Sequence, residues 1–338
     1  MKLQSLLPLT FIAATALAPA FAQAGGITIN RELLGMFQPL KDHAETEANP
    51  FNEAKIDLGR MLYYDKRLSK DGTVSCNSCH QLDSYGDDGA AVSTGIGGQK
   101  GGRSAPTVYN AAIHIAQFWD GRAPDVEAQA IGPILNEIEM GMPDEHFVIN
   151  VLNGIPGYVE LFAKAFPGEE TPLTYENVGK AIGAFERKLL TPAPWDKFLK
   201  GDDKALTEKQ KEGLQVFLNK GCATCHQGMG MGGHLYQKLG LIKPWPTEDK
   251  GRAAVPGNEA MVGFFKVPSL RNVTETAPYL HDGSVKTLEE IVKKMAEHQM
   301  GHQLTDEETG LIIEFLKSLK GEIPEDYIKE PELPKADQ

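Results

Sequence analysis

One five-residue pattern, Cys-x-x-Cys-His, occurs twice in this chain, as Cys76-Asn77-Ser78-Cys79-His80 and as Cys222-Ala223-Thr224-Cys225-His226. It constrains the fold more than any other feature. The pattern is the attachment site of a c-type haem: two thiols close thioether bonds to the porphyrin vinyls, and the adjacent histidine ligates the iron. The two motifs consume all four cysteines, so Cys76, Cys79, Cys222 and Cys225 leave no disulfide framework. A zinc site or a thioredoxin-like pair accounts for the cysteines but not for a histidine directly after each pair. The sequence therefore predicts two covalently bound haem c groups, with His80 and His226 as iron ligands.

Covalent haem attachment fits an extracytoplasmic compartment, and the N-terminus agrees. Residues 1–22 read as a signal peptide: Lys2 is a short basic start, 6–17 is an apolar run, and Ala20-Phe21-Ala22 is a small-x-small cleavage site. The run is too short for a comfortable membrane span. The expectation is an exported, periplasmic protein without a membrane span. The formal charge of -12 argues against nucleic acid and suits a basic or dipolar protein partner, since charge steers encounter more than it sets affinity. Ordinary solubility explains it equally well.

Superposing the motifs exposes a duplication. Upstream of each lies a short amphipathic helix, Leu58-Gly59-Arg60-Met61-Leu62-Tyr63 in the first half and Glu212-Gly213-Leu214-Gln215-Val216-Phe217 in the second. Thr207 and Gln210 give the second a capping box. Downstream, Pro106-Thr107-Val108-Tyr109-Asn110 matches Pro268-Ser269-Leu270-Arg271-Asn272, and Phe118-Trp119-Asp120-Gly121 matches Leu280-His281-Asp282-Gly283. The step from proline to aspartate is 14 residues in both. The expected fold is mainly α: two tandem cytochrome c-like domains, each around one haem. The sequence divides into an N-terminal domain over 23–190, a C-terminal domain over 191–322 and a tail over 323–338. The boundary falls at the break Thr191-Pro192-Ala193-Pro194, after a helical stretch over 178–190. The tail, acidic and rich in proline, reads as an extended strap packing on the N-terminal domain or as a partly disordered end.

An electron-carrying haem is closed by a second ligand, often methionine, on its far face. Met229 and Met231 follow His226 too closely: three to five residues span at most about 17 Å, too little to round the haem edge. Met261 lies in a loop rich in glycine and proline. Met295 and Met300 follow the Asp282-Gly283 landmark on a predicted helix over 287–298. Met295 is the preferred ligand, with His281 and His298 as rivals. Met295 stands 13 residues after Asp282, and 13 residues after Asp120 stands Pro133, which cannot bind iron. Met140 and Met142 are in a different register. The first haem therefore lacks its twin's methionine, and an open iron is where substrate chemistry happens. Gln129, Glu137 and Glu139 lie in the same region. A carboxylate there can move a proton between the oxygens of a bound peroxide, and an amide can orient the peroxide by hydrogen bonds. The same acids also read as solvated surface groups.

These residues, with Ala116-Gln117-Phe118-Trp119-Asp120-Gly121-Arg122-Ala123, Gly132-Pro133-Ile134 through Glu139-Met140, Lys200-Gly201-Asp202-Asp203-Lys204-Ala205-Leu206 and Thr276-Ala277-Pro278-Tyr279, resemble the bacterial di-haem cytochrome c peroxidases over essentially the whole mature chain. The resemblance implies a peroxidatic haem on His80, with Glu139 as acid–base catalyst and Gln129 beside it. It implies an electron-receiving haem on His226 closed by Met295, and Trp119 between the haems as an electron conduit. A large aromatic filling the domain interface is an equally compatible role for Trp119. His281 matches a structural histidine. The family also implies a homodimer and an interfacial calcium ion at Ser104, Thr276 and Pro278, the last two through their carbonyls. Ser104 stands where an asparagine is usual. In many members a loop after the first motif carries a histidine that blocks the peroxidatic iron until the other haem is reduced. That loop is here Ser93-Thr94-Gly95-Ile96-Gly97-Gly98-Gln99-Lys100-Gly101. Ile96 takes the histidine's column and cannot ligate iron, and the glycines predict mobility. His114 reads as a packed or surface histidine in a helical segment.

Three functions compete. The leading one is reduction of hydrogen peroxide to water with electrons from a small periplasmic c-type cytochrome or copper protein (a cupredoxin). The second is oxidation of a protein substrate, as in the similar di-haem enzyme that matures the methylamine dehydrogenase cofactor. That enzyme closes its second haem with tyrosine, so Met295 argues for the peroxidase, while the missing loop histidine leans the other way. The third, a pure electron carrier, needs both irons closed, and Pro133 and Ile96 speak against it. The oxidised protein is therefore expected to show a high-spin, five-coordinate or water-bound haem at neutral pH. A purely low-spin absorption and EPR spectrum would contradict this.

Overall fold

The structure is a computed structural model that describes residues 27–336; the predicted signal peptide, residues 1–22, lies outside them. Its helices are α1 (Glu53–Tyr64), α2 (Cys76–Cys79), α3 (Val126–Leu135), α4 (Glu145–Asn153), α5 (Pro156–Ala165), α6 (Tyr175–Glu186), α7 (Pro194–Leu199), α8 (Glu208–Asn219), α9 (Leu288–Met295) and α10 (Asp306–Lys317). The sheet is one antiparallel pair, β1 (Tyr236–Lys238) and β2 (Phe264–Lys266), with Tyr236 opposite Lys266. Among the described residues no helix is long and apolar enough to cross a membrane.

Local sequence sets most helix starts. Asn52, Asp125, Asp144, Thr174 and Thr287 each cap a helix by accepting the backbone N–H three residues on. Thr207 with Gln210, and Thr305 with Glu308, form reciprocal capping boxes. α5 and α7 open on proline, whose missing N–H costs nothing there.

The duplication read in the sequence is a duplication of packing. α1 lies on α6, and α8 on α10. Gly59 and Gly213 sit at the two contacts, where a β-carbon would lie 1.9 Å from the carbonyl oxygen of Ala181 or of Leu311. Only glycine lets the backbones approach this closely. One turn on, Tyr63 meets Phe185 with ring centroids 5.4 Å apart, and Phe217 meets Phe315 at 5.2 Å. The following loops repeat as well. Asn110 and Asn272 are both left-handed (φ 61° and 59°), as are Phe118 and Leu280 (66° and 74°). The bridges Gln117–Ala123 and Tyr279–Val285 close the same turn in each half. Bulky residues rarely adopt positive φ, so its recurrence marks one inherited turn. The two asparagines converge on buried Thr191, each donating to its Oγ1, at 2.8 and 2.9 Å.

Two cores result. The first gathers Leu58, Leu62, Tyr109, Ile134 and Phe185; the second gathers Trp195, Leu214, Phe217, Ile312 and Phe315. The chain ends cross between them. Residues 27–40 fall in the N-terminal domain by sequence division, yet Ile29, Leu34 and Phe37 are buried in the second core. Phe37 stacks edge-on to Trp195, Arg31 donates to Phe198 O, and Leu40 N–H donates to Asp196. This short segment finds its apolar partners in the second core. The tail crosses the opposite way. Tyr327 Oη donates to Phe185 O, Tyr64 Oη to Ile328 O, and Arg67 to Pro334 O.

Gly59→Ala and Gly213→Ala are expected to destabilise the protein by about 1–3 kcal/mol or more, by forcing the paired backbones apart. Gly310, exposed on α10, has nothing within 4 Å of an added β-carbon, and Gly310→Ala is expected to add about 0.4–1 kcal/mol. Thermal denaturation of the three variants checks the contrast.

Candidate active site

The first motif is built on the single turn α2, which begins where Ser75 N–H donates to Ser78 Oγ at 3.0 Å. It ends on His80, whose backbone leaves the helix (φ -122°, ψ 67°). Tyr63 Oη of α1 donates to His80 O, and Tyr109 Oη to Leu82 O, both at 2.7 Å. The core therefore fixes the motif on both sides. Burial lowers the pKa of His80, and its Nδ1 is buried with no hydrogen-bond partner. Burial also pushes the Cys76 and Cys79 thiols up, the reverse of what a reactive thiolate or zinc ligand needs.

Cys76, Cys79 and His80 line a cavity of about 540 Å³, within the range of about 300–1,000 Å³ usual for cofactor sites. Gln129, Glu139 and Trp119 line the same cavity, as do Ser104 and Pro133. Cys76, Cys79, His80, Ser104, Trp119, Gln129 and Glu139 thus meet in one place, and Pro133 lines the cavity where its twin is a methionine. Glu137 is exposed and does not line it. The volume, the two half-buried thiols that line it and the unpartnered imidazole nitrogen fit a covalently held porphyrin.

α3 brings Gln129 to this cavity, and the turn after it brings Glu139. α3 is tied to α6 by the ion pair of Glu127 with Arg187, at 2.6 and 2.8 Å. Pro133 O accepts from both Asn136 and Met140 N–H, folding 136–142 back against the helix end. Burial raises the Glu139 pKa above the ordinary carboxyl range, and the Arg122 charge opposes that rise. A neighbouring cavity of about 280 Å³ shares Phe118, Arg122 and Glu139 with the first, so Glu139 belongs to both. Arg122 lies over the Phe118 ring, 3.4 Å from its centroid, and donates to Asp120. Glu186 also lines the large cavity and was not singled out by sequence. It is 3% exposed, and burial, aided by Glu127, pushes its carboxyl up to about 8. Its only sequence signal is a carboxylate after the apolar run that ends α6.

The loop over 93–101 differs from the mobile segment its glycines predict. It is a pinned hairpin: Thr94 bridges Lys100, Gly101 N–H donates to Ser93 O at 3.0 Å, and Ile96 N–H donates to Glu139 O at 2.9 Å. A β-carbon at Gly95 would lie 1.9 Å from Ile138 O, so this glycine serves close approach to the Glu139 segment. Ile96 is 8% exposed and packs in the first core against Gly141.

In the second motif, Cys222 and Cys225 flank a short 3-10 turn. His226 Nδ1 lies 3.3 Å from Met231 O, and burial lowers its pKa to about 4. α9 ends at Met295, and a π-turn, Ala296–Met300, replaces the continuous helix to 298 read from the sequence; π-turns recur at functional sites. Met295 packs on Tyr279, Val285 and Ile291. His281 stacks on Phe265 with centroids 4.3 Å apart and sets Nε2 3.3 Å from Thr247 Oγ1; His298 Nδ1 pairs with Lys243 O at 2.9 Å.

Trp119 stands at the domain interface. Its Nε1–H donates to Ser104 O at 2.9 Å, its carbonyl accepts from Lys266 N–H at 2.8 Å, and its ring lies 6.4 Å from that of His281. His114 follows a 3-10 turn, not a helix, and its Nδ1 lies 3.2 Å from Lys266 Nζ, whose pKa burial lowers to about 8. Thr276 and Pro278 flank the Ala277–Pro278 peptide, which is cis. Among the described residues no group of three or more His, Cys, Asp or Glu is placed to hold a metal ion.

A family model for di-haem cytochrome c peroxidase matches residues 53–204, and one for cytochrome c matches 210–320. The chain is 41% identical over 331 residues to the cytochrome c551 peroxidase of Pseudomonas aeruginosa, covering 96% of this chain and 94% of that one. It is 35% identical over 288 residues to the methylamine utilization protein MauG of Methylorubrum extorquens, covering 82% and 81%. Among solved structures, a MauG-like protein associated with microbial copper homeostasis aligns at 29% identity with a TM-score of 0.77, over 86% of this chain and 97% of that one. Repeat, paired motifs and relatives agree, and the chain belongs to the di-haem cytochrome c peroxidase family.

Proposed function

We propose that this protein is a periplasmic di-haem peroxidase. Hydrogen peroxide, two protons and two electrons give two waters, with the electrons drawn from a small c-type cytochrome or a copper protein. The observation that carries the reading is the single cavity where the His80 motif meets Glu139 and Gln129, while Ile96 is packed into the core. When bound there, haem supplies an iron that accepts peroxide and stores oxidising equivalents. The chain's own residues do the remaining work. Glu139 takes a proton from one peroxide oxygen and returns it to the oxygen that leaves as water; burial, which raises its pKa, favours its holding that proton between the two transfers. Gln129 orients the peroxide by hydrogen bonding. Trp119, tied to Ser104 in one domain and Lys266 in the other, is the electron conduit. His226 and Met295 would hold the second haem iron. The second reading, oxidation of a protein substrate, draws support from the likeness to MauG and from the isoleucine in the loop; a donor-independent radical on a partner protein would favour it.

Peroxide turnover with a reduced donor is expected to begin without a lag from both the fully oxidised and the half-reduced protein. A lag confined to the oxidised form would reveal a gate that this reading lacks. Glu139→Gln is expected to lower kcat/KM for peroxide about 10²–10⁴-fold. In the unmodified enzyme kcat/KM is expected to fall as pH drops through the raised pKa of Glu139, because the protonated acid cannot accept the peroxide proton. Arg122→Gln removes the charge that opposes that rise, so the acid limb of the pH profile should move to higher pH.

A further inference from the structure

One guanidinium bridges carboxylates of the two domains at their interface. Arg103 donates through Nε and Nη2 to both oxygens of Asp249 in the second domain, at 2.7 and 2.8 Å, and through Nη1 to Asp120 in the first, at 2.7 Å. The fork geometry is one that arginine alone supplies. Arg252 reinforces it from the second domain, donating to the carbonyls of Asp120 and Gly121. Asp249 also accepts Gly251 N–H, and His281 Nε2 stands 3.9 Å from its carboxylate. Burial would push the Asp249 carboxyl up, yet the bond from Arg103 holds it below the usual carboxylate range.

This network closes around the indole proposed to carry electrons. Ser104, next in the chain, gives its carbonyl to Trp119 Nε1–H and its N–H to His281 O at 2.7 Å. Arg103, Ser104, Trp119 and Asp120 all line the first-haem cavity. We propose that Arg103 is the cation that locks the two domains around Trp119, as a positioning residue for electron transfer between the haems. The proposal rests on the two-haem reading above. Its physical basis is charge balance. The two carboxylates at this junction, Asp120 and Asp249, are both bound by the guanidinium. Without Arg103, the two carboxylates would face each other across the interface with less compensation, and the repulsion would loosen the contact that seats Trp119.

The test is single-turnover reduction of the holoprotein without peroxide: the second haem is reduced rapidly and arrival of the electron at the first is followed by absorbance. No peroxide enters, so failure here is separable from failure of the peroxidase reading. Arg103→Gln is expected to slow interdomain transfer by about tenfold or more through misplacement of the conduit. The spectrum and initial reduction of the second haem should stay unchanged, and Arg103→Lys should fall between. Asp249→Asn, which removes only the second-domain half, should slow transfer too, and the double variant should be no slower than Arg103→Gln alone. Normal transfer in Arg103→Gln and Asp249→Asn would overturn the proposal.

Discussion

Two helix contacts too close for any side chain organise the molecule. At Gly59 and Gly213 a backbone meets the carbonyl of a partner helix, and an aromatic pair locks the contact one turn on. The consequence reaches the chemistry directly. Tyr63, seated against Phe185 by this contact, is the residue whose hydroxyl holds the His80 carbonyl. In both halves the Cys-x-x-Cys-His turn follows the glycine-bearing helix, so the contact precedes and positions each motif. The asparagines that meet at Thr191 then set the two halves against each other.

Against so regular a frame, the places where the halves differ carry the function. Pro133 faces a cavity at the column where Met295 packs on the second small cluster. Trp119 stands where its twin is His281, and the two rings meet across the interface. The electrostatics differ in the same sense. The first cavity keeps two carboxyl groups, Glu139 and Glu186, whose pKa values burial raises. Desolvated acids of this kind cost stability and are retained where protons must move.

The hairpin over 93–101 shows how composition misleads. Glycine gives freedom to an unpacked chain, but it also permits contacts that a β-carbon forbids. Here the second use governs: Gly95 lies against Ile138 O, and Ile96 hangs its amide on Glu139 O. The segment is thus built into the wall that presents Glu139.

The two motifs, the repeat, the helical fold and the first-half site residues were legible in the chain because each rests on local chemistry. Cysteine and histidine spacing sets haem attachment, period and caps set helices, and a shared 14-residue step aligns the halves. Glu139 and Gln129 could be named because the repeat marked an absent ligand beside them. What the chain alone did not decide depends on contacts between residues far apart. The crossing of residues 27–40 to the second core, the tail over the first, the burial of Glu186 and the Arg103 bridge all arise where two surfaces meet. No periodicity records such meetings, since a short segment or a single charged side chain has no preferred partner until the cores exist. Local sequence determined what each half is; only tertiary packing decided how the halves are joined, because that junction is made of ion pairs and close backbone contacts between them.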